Sequence, residues 1–175
     1  MPSPSEMPHD DAQTPRPFLP DQWYAIAEAD QVRPGRPLGL TRLGQQLVLW
    51  RGPDGELACL DDACPHRRAA LSGGAIKDGW IECPFHGFRF AASGQCTAIP
   101  ANGSGPISER YRARRHEVRQ AHGLIWLWSG EPRDDPEAYP PLPWFDVLED
   151  ERWRWATTQV TWQAHYSRAI ENQLD

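Results

Sequence analysis

Cys64-Pro65-His66-Arg67 and Cys83-Pro84-Phe85-His86-Gly87 are the two stretches on which the reading of this chain turns. Each offers one thiolate and one imidazole, the first spaced Cys-x-His and the second Cys-x-x-His. That mixed pair suits a two-iron two-sulfur centre in which two cysteines hold one iron and two histidines hold the other. Its chemistry is the movement of one electron at a time. Zinc is the main rival, since Cys2His2 is also a structural zinc set, but zinc more often takes both cysteines from one loop and both histidines from a helix. A disulfide between the two loops is a weaker rival. Pro65 and Pro84 stiffen the loops by fixing φ, and Gly87 allows close backbone approach beside the sulfurs.

Together with Gly94-Gln95-Cys96-Thr97-Ala98-Ile99-Pro100, these motifs resemble the Rieske domain of the non-haem iron oxygenases, in the catalytic (alpha) subunits of their ring-hydroxylating and O-demethylating branch. The resemblance runs from about Trp23 to Trp128. Arg68 stands where a glycine is often found and Phe88 where tryptophan is common, but neither position is a ligand. The resemblance implies a Rieske-type 2Fe-2S cluster on Cys64, His66, Cys83 and His86. It also implies a mostly β fold, an antiparallel Rieske-type β-sandwich with two cluster-binding loops, followed by the start of an α+β catalytic domain.

Absences refine that expectation. High-potential respiratory Rieske proteins tie the two loops by a disulfide at positions equivalent to Ala69 and Phe85, and place Ser and Tyr hydroxyls against the cluster sulfurs where this chain has Phe88 and Phe90. Hydrogen bonds to sulfur stabilise the reduced, more negative cluster, so their loss lowers the potential. A value near roughly −150 mV, at the low end of the Rieske range, is expected.

Glu171-Asn172-Gln173-Leu174-Asp175 resembles the oxygenases' NxxD segment, whose carboxylate bridges a cluster histidine of one subunit to an iron-ligand histidine of the next. By that resemblance Asp175 is a candidate inter-subunit bridging carboxylate, and His86 the histidine it meets. A HxxxxH pair and a distant carboxylate complete the facial triad for mononuclear iron in the family. The sequence ends before all three, so mononuclear Fe(II) is expected only of a longer chain. The implied partners are a reductase or ferredoxin as electron donor and, at full length, two further copies in a homotrimer. The implied reaction uses dioxygen to hydroxylate or demethylate an apolar, aromatic substrate. Two other classes remain open: a freestanding Rieske electron carrier and a zinc-binding module.

The chain has 175 residues, 39% hydrophobic content and a net charge of −6. An acidic chain is a poor match for nucleic acid, which needs clustered cations. Arg110, Arg112, Arg114 and Arg115 do cluster, but Glu109 and Glu117 flank them, and a solvated strand face is expected there. Arg67 and Arg89 beside the loops read equally well as ordinary surface cations. No apolar run reaches the length of a membrane span and no signal pattern opens the chain, so no membrane and a cytoplasmic location are expected. Cys59 and Cys96 sit in apolar contexts and read as buried thiols, which fits a reducing compartment.

Residues 1–17 are rich in Pro, Ser and Asp and read as a disordered tail. Residues 18–130 form the expected cluster domain, 131–143 a proline-rich linker, and 144–175 the start of an incomplete catalytic domain. Strands are predicted over 23–27, 38–43, 47–51 and 57–61 as an antiparallel meander, with a turn at Gly52-Pro53-Asp54-Gly55. Further strands are predicted over 80–82, 88–91, 114–118 and 124–128, with Ala121-His122-Gly123 in a hairpin turn. Trp126 and Trp128 are expected in the sandwich core or at the domain junction. A strand over 153–160 and a helix from Thr161 or Trp162 to Leu174 complete the prediction. His116 and His122 are read as surface histidines, and His165 as a packing residue of that helix.

Overall fold

Alternation along one strand organises the first part of the molecule. In the computed structural model, which describes residues 18–154, 156, 158 and 160–174, strand β3 (Gln45–Arg51) buries both of its faces. Leu47 and Leu49 point into one apolar cluster, while Val48 and Trp50 point into another, and all four are fully buried. A period of two puts neighbours on opposite faces, so a strand buried on both sides reads as a continuous apolar run. β3 is the centre of a three-stranded antiparallel sheet with β2 (Leu38–Arg42) and β4 (Leu57–Asp61).

A second sheet, formed by β1 (Trp23–Glu28), β9 (Val118–Ala121) and β10 (Leu124–Trp128), covers one face of that centre. Ile26, Ile125 and Leu127 from it pack with Leu47, Leu49 and Cys59. A third sheet covers the other face, with β5 (Ala75–Lys77), β6 (Trp80–Glu82), β7 (Arg89–Phe90) and β8 (Cys96–Ala98) in that order. From it Ile81, Phe90 and Cys96 pack with Val48, Trp50 and Leu60. Burying a side chain of the size of Leu or Phe contributes about 1.5–3 kcal/mol, so both cores are substantial sources of stability. The two cysteine loops belong to the second core, in which Cys64, Cys83 and Phe88 are members.

Three two-residue hairpins use one device. Leu43-Gly44, Asp78-Gly79 and His122-Gly123 each place both residues at positive φ, the turn whose twist matches the flanking strands. The β3–β4 turn at 52–55 also forms as predicted, with Gly55 at φ +79°.

Several expectations are corrected. β1 pairs with β10 and not with β2, so the meander extends only over β2, β3 and β4. Pairing between chain ends is a long-range choice that local pattern does not encode. β5 and β8 were not predicted, because three-residue strands carry almost no periodic signal. The predicted strand at 114–118 begins only at Val118; before it lies a turn over Glu109–Tyr111 and a single bridge between Leu60 and Arg115. The four-arginine run therefore lies on a loop and not on a strand face.

In the stretch expected as a linker, residues 131–138 are exposed, while Tyr139 and Pro140 pack back onto the sheet. Tyr139 is buried against Trp23 and Trp128, with ring centroids 5.5 and 5.3 Å away, and the Trp23 indole donates to the Pro140 carbonyl at 2.9 Å. The proline-rich composition marks an irregular strap here, because proline limits regular pairing without preventing aromatic packing.

By internal contacts, residues through Pro141 form one compact unit and those from Leu142 form another. In the second unit a short turn spans Asp146–Glu149 and helix α1 spans Tyr166–Leu174. The predicted helix thus begins four or five residues later than expected, and the described residues between 153 and 160 carry no strand. The expected tail at 1–17 and the candidate Asp175 lie outside the described residues. Among the described residues, no helix is long and apolar enough to cross a membrane.

Candidate metal centre

The two cysteine loops are built to one plan. The Cys64 amide donates to Ala69 O at 2.8 Å, and the Arg68 amide donates back to Cys64 O at 2.8 Å. The Cys83 amide donates to Phe88 O at 2.8 Å, and the Gly87 amide donates back to Cys83 O at 3.1 Å. In both loops the fourth residue after the cysteine turns through positive φ, Arg68 at +60° and Gly87 at +69°. Each loop is thereby closed by its own backbone, and the side chains between are free for ligation.

The donors segregate by element. The Cys64 and Cys83 thiols are within hydrogen-bonding reach of each other and are 1% and 3% exposed. The His66 and His86 rings lie 4.8 Å apart and nearer the surface, His86 being exposed. Two sulfurs inside and two nitrogens outside match a cluster whose irons differ in ligation. A single zinc would need four donors converging on one point. Among the described residues, no three His, Cys, Asp or Glu side chains are placed to hold one metal ion.

Electrostatics follow from the same layout. Burial pushes the Cys64 thiol up to about 11, opposed by the His66 and Arg67 amides that point at its sulfur and raised further by the Cys83 thiol. Those amides are placed to stabilise a thiolate once a metal supplies positive charge. His66 is held below the ordinary imidazole range, first by desolvation and then by the nearby His86, Arg67 and Arg110. A neutral imidazole is the form that binds metal.

The surrounding shell is aromatic. Phe88 stacks on His66 with centroids 4.8 Å apart and planes 6° from parallel, and Tyr111 meets Phe88 edge-on at 5.3 Å. Phe85 packs on His86 at 3.9 Å. Behind the second loop, Glu82 accepts from Arg89 Nε at 2.8 Å and pairs with Lys77 Nζ at 2.6 Å. Both cations hold its carboxyl below the usual range, through hydrogen bonds above all. Arg89 is therefore a bracing residue and not a free surface cation.

Of the four side chains singled out from the sequence, the structure pairs the two cysteines with each other and the two histidines with each other. His116, read as a surface histidine, is instead buried, with Nε2 2.6 Å from Asp61 Oδ1. Its backbone amide bonds to Cys59 O while the Asp61 amide bonds to Arg114 O, fastening the 113–116 segment to β4. Tyr111, part of the shell, was not anticipated either. Its position depends on that long-range fastening, which leaves no local sequence signal. Cys59 and Cys96 are buried free thiols, as expected.

Comparison with known proteins agrees with this geometry. Residues 22–118 match the family described as "Rieske [2Fe-2S] domain". Protein TIC 55, chloroplastic, of Arabidopsis thaliana is 38% identical over 89% of this chain and 29% of its own length. The oxygenase component of dicamba O-demethylase from Stenotrophomonas maltophilia is 36% identical over 90% of this chain and 45% of its own. Among solved structures, dicamba monooxygenase with non-heme iron and dicamba has a TM-score of 0.68 at 38% identity, covering 78% of this chain and 41% of that one. NdmA of Pseudomonas putida CBB5 has a TM-score of 0.75 at 27% identity, covering 89% and 47%. The chain thus spans less than half the length of these relatives.

Proposed function

This chain belongs to the Rieske [2Fe-2S] domain family, and from that premise we propose that it is the electron-transferring, amino-terminal part of an oxygenase, with Cys64, His66, Cys83 and His86 holding the cluster. The observation that carries the assignment is the sorting of the donors into a buried sulfur pair and an outer imidazole pair. A bound two-iron two-sulfur cluster supplies reversible one-electron transfer. The protein's part is to keep water from the thiolates, fix the imidazole planes and leave one histidine edge open. Pro65 and Pro84 with the paired backbone bonds fix the loops, and Phe88 fixes the plane of His66. The exposed His86 gives the shortest route to the surface.

The finer reading extends this. A reductase or ferredoxin is the electron donor, and the working assembly is a homotrimer in which Asp175 bridges neighbouring subunits. A longer chain carries a mononuclear Fe(II) and acts on an apolar, aromatic substrate with dioxygen. Cysteine usage favours the cytoplasm. Residues 18–130 are the cluster domain, and 144–175 begin the catalytic one. Support comes from relatives that are an O-demethylase oxygenase component and a 4beta-methylsterol monooxygenase.

The direct test is anaerobic purification followed by iron and acid-labile sulfide analysis and electron paramagnetic resonance. About two iron and two sulfide per chain with a rhombic signal on reduction are expected. Zinc with no labile sulfide would overturn the proposal.

A further inference from the structure

The geometry points to a binding cleft, at the open edge of β2, for a phosphate group carrying more than one negative charge, borne by a soluble organic phosphate or by a lipid headgroup. The cleft has a volume of about 580 Å³, and its side-chain lining is Gln31, Arg33, Arg36, Leu38, Leu40 and Arg42. β2 is the outer strand of its sheet, and Leu38 and Leu40 pack on the core without cysteine loops. Neither cysteine loop contributes to the lining, so the cleft is independent of the cluster.

Local structure holds the cations in place. Arg33-Pro34-Gly35-Arg36 is a tight turn in which the Arg36 amide donates to Arg33 O at 3.3 Å and Gly35 lies at φ +74°. Proline second and glycine third are the residues a type II turn takes, and such a turn brings its first and fourth Cα atoms to within about 7 Å. Both ends of the turn are exposed arginines, and among the described residues neither guanidinium has a hydrogen-bond or carboxylate partner. Arg42 completes the set from the strand. Its Nε donates to Ile26 O at 2.8 Å and its Nη1 to Thr41 O at 2.8 Å, which fixes the guanidinium and leaves Nη2 without a partner among the described residues. Gln31 Oε1 accepts from the Glu28 amide at 3.3 Å, which leaves the Gln31 Nε2 donors free among the described residues.

Three guanidiniums with no carboxylate in the lining stand out on a chain of net charge −6. Like charges gathered without a counter-charge repel, so an anion that meets all three gains more than it would at an isolated cation. Guanidinium forks bond phosphate oxygens in pairs, whereas a single carboxylate would leave two of the three cations unmatched. The volume is that of a small-molecule site, and the two half-buried leucines offer apolar contact to the organic part of the ligand.

Pyrophosphate in metal-free buffer is the probe, titrated anaerobically into the full chain and followed by isothermal calorimetry. Wild-type protein should take up one pyrophosphate per chain, more weakly as salt rises, and Arg33→Ala/Arg36→Ala should bind it about tenfold more weakly or worse. Arg112→Ala/Arg115→Ala removes the same charge from two exposed, ion-paired arginines outside the cleft and should bind as the wild type does. Cosedimentation with vesicles of phosphatidic acid in phosphatidylcholine, reversed by pyrophosphate, would identify a lipid headgroup as the source. Calorimetric uptake without cosedimentation would identify a soluble phosphate. No saturable uptake by the wild type would overturn the cleft, as would equal uptake by Arg33→Ala/Arg36→Ala or an equal loss in Arg112→Ala/Arg115→Ala. Tighter binding of a hexaglutamate peptide than of pyrophosphate would assign the cleft to an acidic protein segment and also overturn it.

Discussion

Arg68 and Gly87 occupy the same place in the two cysteine loops, and both turn through positive φ. Glycine does so freely, but a residue with a Cβ loses roughly 1–2 kcal/mol there. Arg68→Gly should therefore stabilise the protein by about 1 kcal/mol, part of the gain being offset by a more flexible unfolded chain. Gly87→Ala should destabilise it by a similar amount, since the added Cβ would also meet Pro100 Cγ at 3.0 Å. Denaturant midpoints with unchanged slopes would register both. At the Phe88 and Phe90 positions no hydroxyl is present to donate to sulfur, so spectroelectrochemistry should give a potential near roughly −150 mV. A value above about +100 mV would contradict this account of the cluster's surroundings. Glu82 sets a pH dependence. Its carboxyl is lowered in the folded protein by Lys77 and Arg89, so the contribution of the pairing is present above the unfolded value of about 4.3 and fades as pH falls through the folded one. Glu82→Gln should reduce stability at pH 7 by no more than about 1 kcal/mol, with the difference from wild type vanishing in acid.

At the scale of elements, the third sheet presents the second cysteine loop, and its weakest tolerance is at Gly74. A Cβ there would lie 1.9 Å from Glu82 O, across the β5–β6 pair and one residue before Cys83. Gly74→Ala should therefore lower stability by about 2–3 kcal/mol, measured by thermal unfolding, and reduce the labile sulfide retained on purification. The short edge strands β5 and β8 exist because β6 and β7 respectively complete a ladder with each, and for that reason neither could be read from its own three residues. Hairpin turns were more legible. His122-Gly123 and the 52–55 turn were identified from residue type alone, because positive φ is a local demand that glycine meets. The predicted 114–118 strand shows the opposite limit: alternation suggested a solvated strand with a surface histidine, yet the His116–Asp61 contact buries His116 against β4 while Arg114 and Arg115 stay exposed.

At the scale of the molecule, two cores share the central sheet and the two cysteine loops belong to only one of them. The unit ending at Pro141 includes both cores and the aromatic strap around Tyr139. A fragment of residues 18–141 should fold and retain the rhombic resonance of the intact chain. One ending at residue 130 should lose the Tyr139 packing and unfold about 1–3 kcal/mol more easily. Circular dichroism melts and resonance spectra of the two fragments would separate these outcomes. The sequence by itself determined which four side chains are candidate ligands, several hairpin turns and most strands, because ligation chemistry, positive φ and apolar alternation are all properties of neighbouring residues. The sorting of sulfur inward and imidazole outward was decided only in the tertiary structure, as were the β1–β10 pairing, the burial of His116 and the placing of Arg110 and Tyr111 beside His66. These depend on contacts between residues far apart in the chain, whose free energy appears only when the sheets close on one another.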